Sequence, residues 1–281
     1  LFTELFPFGR KSLRSEFDAA LEHAKTLQST PLIFASIRDI LAPPSNIKKV
    51  QDTENRIAQF YDAILVHSDP EIVPLEASWP ISERLRPYLH YTGFVAPPKT
   101  SAHSDKLGEG EILVSAGGGN VGQSLFTAAS DAALNDPKMR VWRLLVGGVN
   151  APERCRDLRR RATSARLIIE PARPDFRKML FHASASISMC GYNTTLDLLQ
   201  AGTPSVIVPF DDGKDVEQSL RANALMRVEG FETVFKDRLS GATLLGALEI
   251  VTAKPARSDV PFRLDGAEET VRIVSDHLGL E

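Results

Sequence analysis

The feature that most constrains this chain is an alternation kept up along most of its length. Short, uniformly apolar runs take turns with polar segments whose apolar residues recur at helical spacing. "PLIFASI" (Pro31 to Ile37) and "AILVHS" (Ala63 to Ser68) are β-rich runs, separated by turn-forming sequence and the helix-like "TENRIAQFY". Strands with no polar alternation fit a parallel sheet covered on both faces. From Leu89 to Glu111 the sequence turns rich in Pro, Gly, Ser and Lys and reads as a linker. The pattern then restarts, with "EILVSAG" as strand and "VGQSLFTAASDAAL" as helix. Strands "RVWRLLVGG", "ARLIIEP", "SASISMC", "PSVIVPF" and "FETVF" follow with helices between them, and two further helices close the chain.

A βαβα series of this kind predicts an α/β chain of two Rossmann-like, doubly wound parallel-sheet domains with a cleft between them. The expected division is residues 1–95, a linker over 96–110 and a second domain over 111–281, its last helix placed to pack back on the first domain. A length of 281 residues is sufficient for two such cores. Because the chain opens at Leu1 directly in strand-like "LFTELFPF", the first domain is expected to be truncated at its N-terminus.

Composition narrows the partners. A formal net charge of −3 gives no reason to expect nucleic acid. Two cysteines, Cys155 and Cys190, provide neither a disulfide framework nor a zinc-type cluster, which fits a reducing, cytoplasmic setting. No apolar run reaches the length that spans a bilayer.

In an open parallel sheet, ligands bind beyond the carboxyl ends of the strands, and two loops stand out there. "SAGGGNVGQS" (Ser115 to Ser124) puts three consecutive glycines between a strand and a helix, so backbone N–H groups can approach a phosphate. Ser115, Asn120 and Ser124 add donors, although the same glycines would also serve a tight βα turn. The second loop, "CGYNTT", follows "SASISM". Gly191 allows close approach, and Asn193 or Thr194 is expected to open and cap the next helix and to donate to an anion at its positive end. Asp197, one turn on, could reach a diol beside that anion, or simply complement the helix dipole. Anion plus diol describes a nucleotide. After the next strand, "VPFDDGKDVEQSLRANAL" places Glu217 and Gln218 near a helix start, where they could bind sugar hydroxyls.

From Met189 to Ala224, "MCGYNTTLDLLQAGTPSVIVPFDDGKDVEQSLRANA" resembles the nucleotide-sugar signature of GT-B glycosyltransferases. It is similar both to the plant secondary-product enzymes and to the bacterial N-acetylglucosaminyltransferases of peptidoglycan precursor synthesis. The resemblance implies that Gly191, Asn193 and Thr194, with Gly118 and Gly119, hold a nucleotide-sugar diphosphate, with Asn120 and with Tyr192, at the family's aromatic or small position, in the same binding site. It implies that Asp197 binds the ribose and that Glu217 and Gln218 bind the donor sugar. Met189 departs from the plant pattern, which has a phosphate-binding His there; a thioether cannot donate a hydrogen bond. The first domain, through "TELFPFGRKSLRSEF" and "SIRDIL", resembles bacterial glycosyltransferases related to the peptidoglycan enzyme. In those, an acceptor-facing loop comes earlier, so the catalytic base is expected before Leu1 and no catalytic residue is assigned.

The implied activity is transfer of a hexose or N-acetylhexosamine from a nucleoside-diphosphate sugar, UDP-linked by preference, to a lipid-linked or polysaccharide acceptor, with inversion. A 2-epimerase acting on UDP-N-acetylglucosamine and a non-catalytic nucleotide-sugar-binding subunit are the competing readings. No cofactor is implied and no metal, since backbone donors and helix dipoles stabilise the leaving diphosphate. Asp211 and Asp212 therefore read as a solvated loop, and "RCRDLRRRATSAR" as a solvated helix face, with a peripheral contact at the inner membrane face as its alternative. Glu4, Arg10, Arg38 and Asp39 are expected at strand ends, Arg38 and Asp39 as a structural ion pair.

Overall fold

The computed structural model describes residues 1–211, 215–253 and 262–280. The chain divides into two compact units, Leu1–Pro97 with Phe262–Glu281, and Pro98–Pro261.

In the first unit β1 (Phe2–Glu4), β2 (Phe34–Arg38), β3 (Ala63–His67) and β4 (Leu89–Tyr91) form one parallel sheet in the order β1-β2-β3-β4. Helices α1 (Arg14–Thr26) and α2 (Ile47–Phe60) follow β1 and β2. Successive strand residues point to opposite faces, and both faces here are apolar. Ile33, Ala35, Ile37, Ile64 and Val66 join one core with Ile57 of α2 and Trp79. Phe34, Ala63 and Leu65 meet Ile273 on the other side. That second cover is the C-terminal helix α9, Gly266–Leu278, so the uniformly apolar runs are explained by burial on both faces.

Two expectations fail locally. The opening strand stops at Glu4, because Leu5 takes a left-handed φ of 66° and Pro7 has no N–H for a ladder. "LHY", read as the start of the linker, is instead the edge strand β4, with every residue half-buried.

The second unit carries β5 (Ile112–Ser115), β6 (Trp142–Val146), β7 (Leu167–Pro171), β8 (Ala185–Ser188), β9 (Ser205–Ile207) and β10 (Phe231–Thr233). They form a parallel sheet in the order β10-β9-β8-β5-β6-β7. Helices α3 (Gln123–Leu134), α4 (Ala151–Arg161), the one-turn α5 (Phe176–Met179), α6 (Tyr192–Ala201), α7 (Glu217–Leu225) and α8 (Gly241–Thr252) connect and cover the strands. Ala128, Ala129, Ala132 and Ala133 bury the face of α3 in the same core as Leu244 and Leu248 of α8. Small side chains on α3 allow that close approach. Arg143 of β6 is buried in the sheet but fully paired, donating to Glu111 at 2.5 and 2.7 Å and to Glu170 of β7 at 2.8 Å. The α/β architecture with two parallel sheets is thus the one the alternation predicts.

Candidate functional site

Strand order in the second unit reverses between β5 and β8. Loops leaving such adjacent strands diverge and open a crevice at the carboxyl ends. Ser115 and Ser188 pair at those ends, so the two loops singled out in the sequence start side by side.

The glycine loop is held from below. Gly117 has a left-handed φ of 76°, and its N–H donates to Ser115 Oγ at 3.1 Å. Gly147, just past β6, lies so close beneath that an added Cβ would stand 2.2 Å from the Gly117 carbonyl oxygen. Arg154 of α4 clamps the loop further. Its guanidinium donates to the carbonyls of Gly147 at 2.7 Å and Val121 at 2.6 Å, and to Asn120 Oδ1 at 3.4 Å. Among the described residues, no heavy atom lies within 4 Å of a Cβ placed on Gly117 or Gly118, and Val121 Cγ2 lies 3.6 Å from one placed on Gly119.

The second loop corrects one expectation. Helix α6 begins at Tyr192 with Gly191 as its N-cap, so Asn193 and Thr194 lie inside the first turn and do not cap it. Gly191, as N-cap, brings no capping side chain. Among the described residues, a Cβ on Gly191 would also meet nothing within 4 Å. Helix α3, whose N-cap is Gly122, is likewise without a side-chain cap. Two positive helix ends thus stand beside one glycine loop, an arrangement suited to an anion. Met189 is not part of it. Its side chain is buried in the core, with Sδ 3.6 Å from a Cβ placed on Gly122, so the position supports the glycine loop from within.

Asp197 projects from the next turn of α6 and is paired with Arg177 of α5, Nε to Oδ1, at 2.7 Å. Arg177 is positioned in turn by Gln200 Oε1 at 2.8 Å and the Pro98 carbonyl at 3.1 Å. Burial raises the Asp197 carboxyl above its ordinary range, and the charge and hydrogen bond of Arg177 oppose that only in part. Sequence reasoning missed Arg177, because nothing in "PDFRKML" connects it with a residue twenty positions on.

Glu217 and Gln218 sit at the start of α7, but their contacts here are structural. Gln218 Oε1 accepts from the N–H groups of Cys190, at 2.9 Å, and Phe210, at 3.2 Å, joining the loops after β8 and β9. Glu217 Oε1 accepts from Arg221 at 2.8 Å. Arg221 is 1% exposed, also donates to the Cys190 carbonyl at 2.8 Å, and lies 5.7 Å from the Tyr192 ring centre. Asp211 is not a free loop carboxylate: it accepts from the backbone N–H groups of Gln218 at 3.0 Å and Ser219 at 3.1 Å. Asp212 lies outside the described residues. Arg221 was also missed, since it does not stand out from other helix-face arginines in the sequence, and Arg154, read there as part of a solvated helix face, instead donates to the loop carbonyls of Gly147 and Val121.

In the first unit Glu4 pairs with Arg10, Arg38 ends β2, and Asp39 is buried with Oδ1 accepting from the Ile40 N–H at 2.9 Å. His67, at the end of β3, is held between Ser36 Oγ and Thr92 Oγ1, each at 2.9 Å, and burial lowers its pKa. Among the described residues no helix is long and apolar enough to cross a membrane.

Comparison with known proteins finds both a family match and structural neighbours. Residues 160–263 match the glycosyltransferase family 28 C-terminal domain. A relative from Chelativorans sp. (strain BNC1) is 31% identical over 87 residues. It is the UDP-N-acetylglucosamine–N-acetylmuramyl-(pentapeptide) pyrophosphoryl-undecaprenol N-acetylglucosamine transferase. That match spans 31% of this chain and 23% of the relative's length. Among solved structures, CalG4, the calicheamicin glycosyltransferase, superposes with a TM-score of 0.63 at 16% identity, covering 99% of this chain and 72% of that one. Acinetobacter baumannii MurG gives a TM-score of 0.58 at 15% identity, covering 88% and 68%. Residues 160–263 therefore match a glycosyltransferase family 28 C-terminal domain, on a chain that has the GT-B fold.

Proposed function

We propose that this chain is a GT-B glycosyltransferase that moves a hexose or N-acetylhexosamine from a UDP-sugar to a lipid-linked or polysaccharide acceptor, with inversion at the anomeric carbon. The observation that carries the reading is the pair of helix starts N-capped by glycine, α3 at Gly122 and α6 at Gly191, beside a glycine-rich loop at the carboxyl ends of β5 and β8. The diphosphate rests against Gly118, Gly119 and Asn120 on one side and Gly191 to Thr194 on the other. There, helix dipoles and backbone N–H groups stabilise the charge that grows as the glycosyl bond breaks. Asp197, held by Arg177, accepts from the ribose hydroxyls. Gln218 and Glu217 serve the donor by fixing the loops after β8 and β9. A lipid-linked acceptor would bring the chain to the inner face of a membrane.

Calorimetric titration with UDP tests the donor side. The parent chain is expected to bind UDP, and Asp197→Asn to bind it about tenfold more weakly, the loss of one charge-assisted hydrogen bond of ~1.5 kcal/mol. Equal affinity in the two proteins contradicts the ribose assignment. Incubation with labelled UDP-N-acetylglucosamine and a lipid-linked acceptor tests the chemistry. Free UDP with glycosylated acceptor supports transfer. UDP with an epimerised sugar favours an epimerase, and binding without turnover favours a non-catalytic subunit.

A further inference from the structure

We infer that Arg177 is a positioning residue that sets the site's preference for a nucleotide with an intact ribose diol, acting through Asp197; this rests on the donor reading above. The two side chains form an ion pair at 2.7 Å, with 28% and 15% of their surface exposed, so little water competes for it. The same guanidinium donates through Nη2 to Gln200 Oε1 at 2.8 Å and to the Pro98 carbonyl at 3.1 Å. Asp197 and Gln200 stand three residues apart on α6 and so share a face. The planar fork of Arg177 therefore spans one turn of α6, and rotating it would break both contacts. A carboxylate pinned through Oδ1 keeps one orientation, as recognition of two neighbouring hydroxyls requires. Burial on its own favours the neutral acid, which is the weaker acceptor, and the guanidinium opposes that.

Arg177 needs support of its own, because α5 has four residues and a single turn fixes its backbone poorly. That support comes from the segment 98–108, which belongs to the second unit. Pro98 takes the hydrogen bond from Arg177 itself. Five residues on, the His103 N–H donates to the Lys178 carbonyl at 3.2 Å, and His103 Nε2 lies 3.3 Å from Oδ2 of Asp175, the N-cap of α5. Arg173 holds the same carboxylate with two bonds of 2.8 Å, and His182 Nε2 lies 3.1 Å from the His103 carbonyl. Gly108 closes the strap so tightly that an added Cβ would stand 3.1 Å from both Cβ and the carbonyl oxygen of Met179. The connecting segment thus grips α5 at three points, and Arg177 carries that hold across to α6.

The test compares calorimetric dissociation constants for UDP and 2′,3′-dideoxy-UDP on the full chain, in the parent, Asp197→Asn, Arg177→Gln and the double variant. Circular dichroism checks folding, and Arg177→Lys, which keeps the charge without the fork, decides in place of Arg177→Gln if that variant does not fold. The parent is expected to prefer UDP at least tenfold. That preference falls about tenfold in Asp197→Asn and about three- to tenfold in Arg177→Gln, with 2′,3′-dideoxy-UDP affinity within about twofold of the parent throughout. In the double variant it falls no further than in Asp197→Asn alone, because the two residues act as one unit. If Arg177→Gln weakens both nucleotides equally or neither, or if the two losses multiply in the double variant, the Arg177 assignment is overturned and the donor reading stands. If UDP binds but Asp197→Asn leaves the preference unchanged, the ribose assignment falls and this inference with it. If the parent binds neither nucleotide, the donor reading itself falls.

Discussion

At the scale of single residues, the site keeps a carboxylate where folding alone would prefer a neutral group. Burial raises Asp197, and Arg177 offsets this only in part. The linkage has a definite sign. A carboxyl whose folded pKa exceeds its unfolded value adds stability below that unfolded value, near 3.8. That contribution is lost as pH rises through the folded value. Asp197→Asn lacks this titration, and Arg177 retains Gln200 and Pro98 as acceptors. Urea unfolding is therefore expected to show the parent losing stability relative to Asp197→Asn between acid and neutral pH, the variant at neutral pH being no less stable than the parent. A pH-independent difference would mean that Asp197 is not shifted. Arg221 is the opposite case, a buried cation whose partners are structural. Arg221→Leu strips the Cys190 carbonyl and Glu217 of their donor and is expected to cost about 2 kcal/mol, read from the urea midpoint at unchanged slope.

At the scale of elements, the glycine loop and the end of β6 behave as one part. Gly147 touches the Gly117 carbonyl where no Cβ fits, so Gly147→Ala must lift the loop or push β6 aside. UDP affinity is expected to fall at least tenfold by calorimetry, with a cooperative thermal transition retained; unchanged affinity would detach that loop from the donor. The glycine run stood out in the sequence as three glycines between an apolar run and a helix, a pattern that a tight βα turn would give as well. Its partner "GG" after β6 did not stand out, because the contact joins loops from two strands and no spacing rule links them. The same holds for α6. Its existence followed from "TTLDLLQAG", but its first residue did not. Asn and Thr are good capping residues by propensity, yet the chain enters through an extended Gly191, φ −68° and ψ 150°, and the cap falls there.

At the scale of the whole chain, α9 belongs to the first unit although the second lies between them in sequence. It covers Phe34, Ala63 and Leu65 through Ile273, and His277 stands edge-on to Phe34 at 5.5 Å. Removing residues 262–281 uncovers one face of the first sheet. Each large side chain re-exposed costs about 1.5–3 kcal/mol. Limited proteolysis of the shortened chain is expected to degrade residues 1–97 first and leave a resistant core from 98–253. Uniform digestion, or an unchanged pattern, would contradict that dependence.

What the sequence determined by itself was the class of each segment and the order in which they alternate. Apolar periodicity, glycine placement and helix-ending residues act within a few positions of one another, and from them a pair of parallel α/β units and two loops at the carboxyl ends of strands could be read. Tertiary structure alone decided which charged side chains those loops depend on: Arg177 on Asp197, Arg154 on the glycine loop, Arg221 on the β8 loop. Each of those contacts joins different loops or helices across the fold. The energy of such a contact depends on burial and on the distance between charges, and neither exists until the sheet has formed.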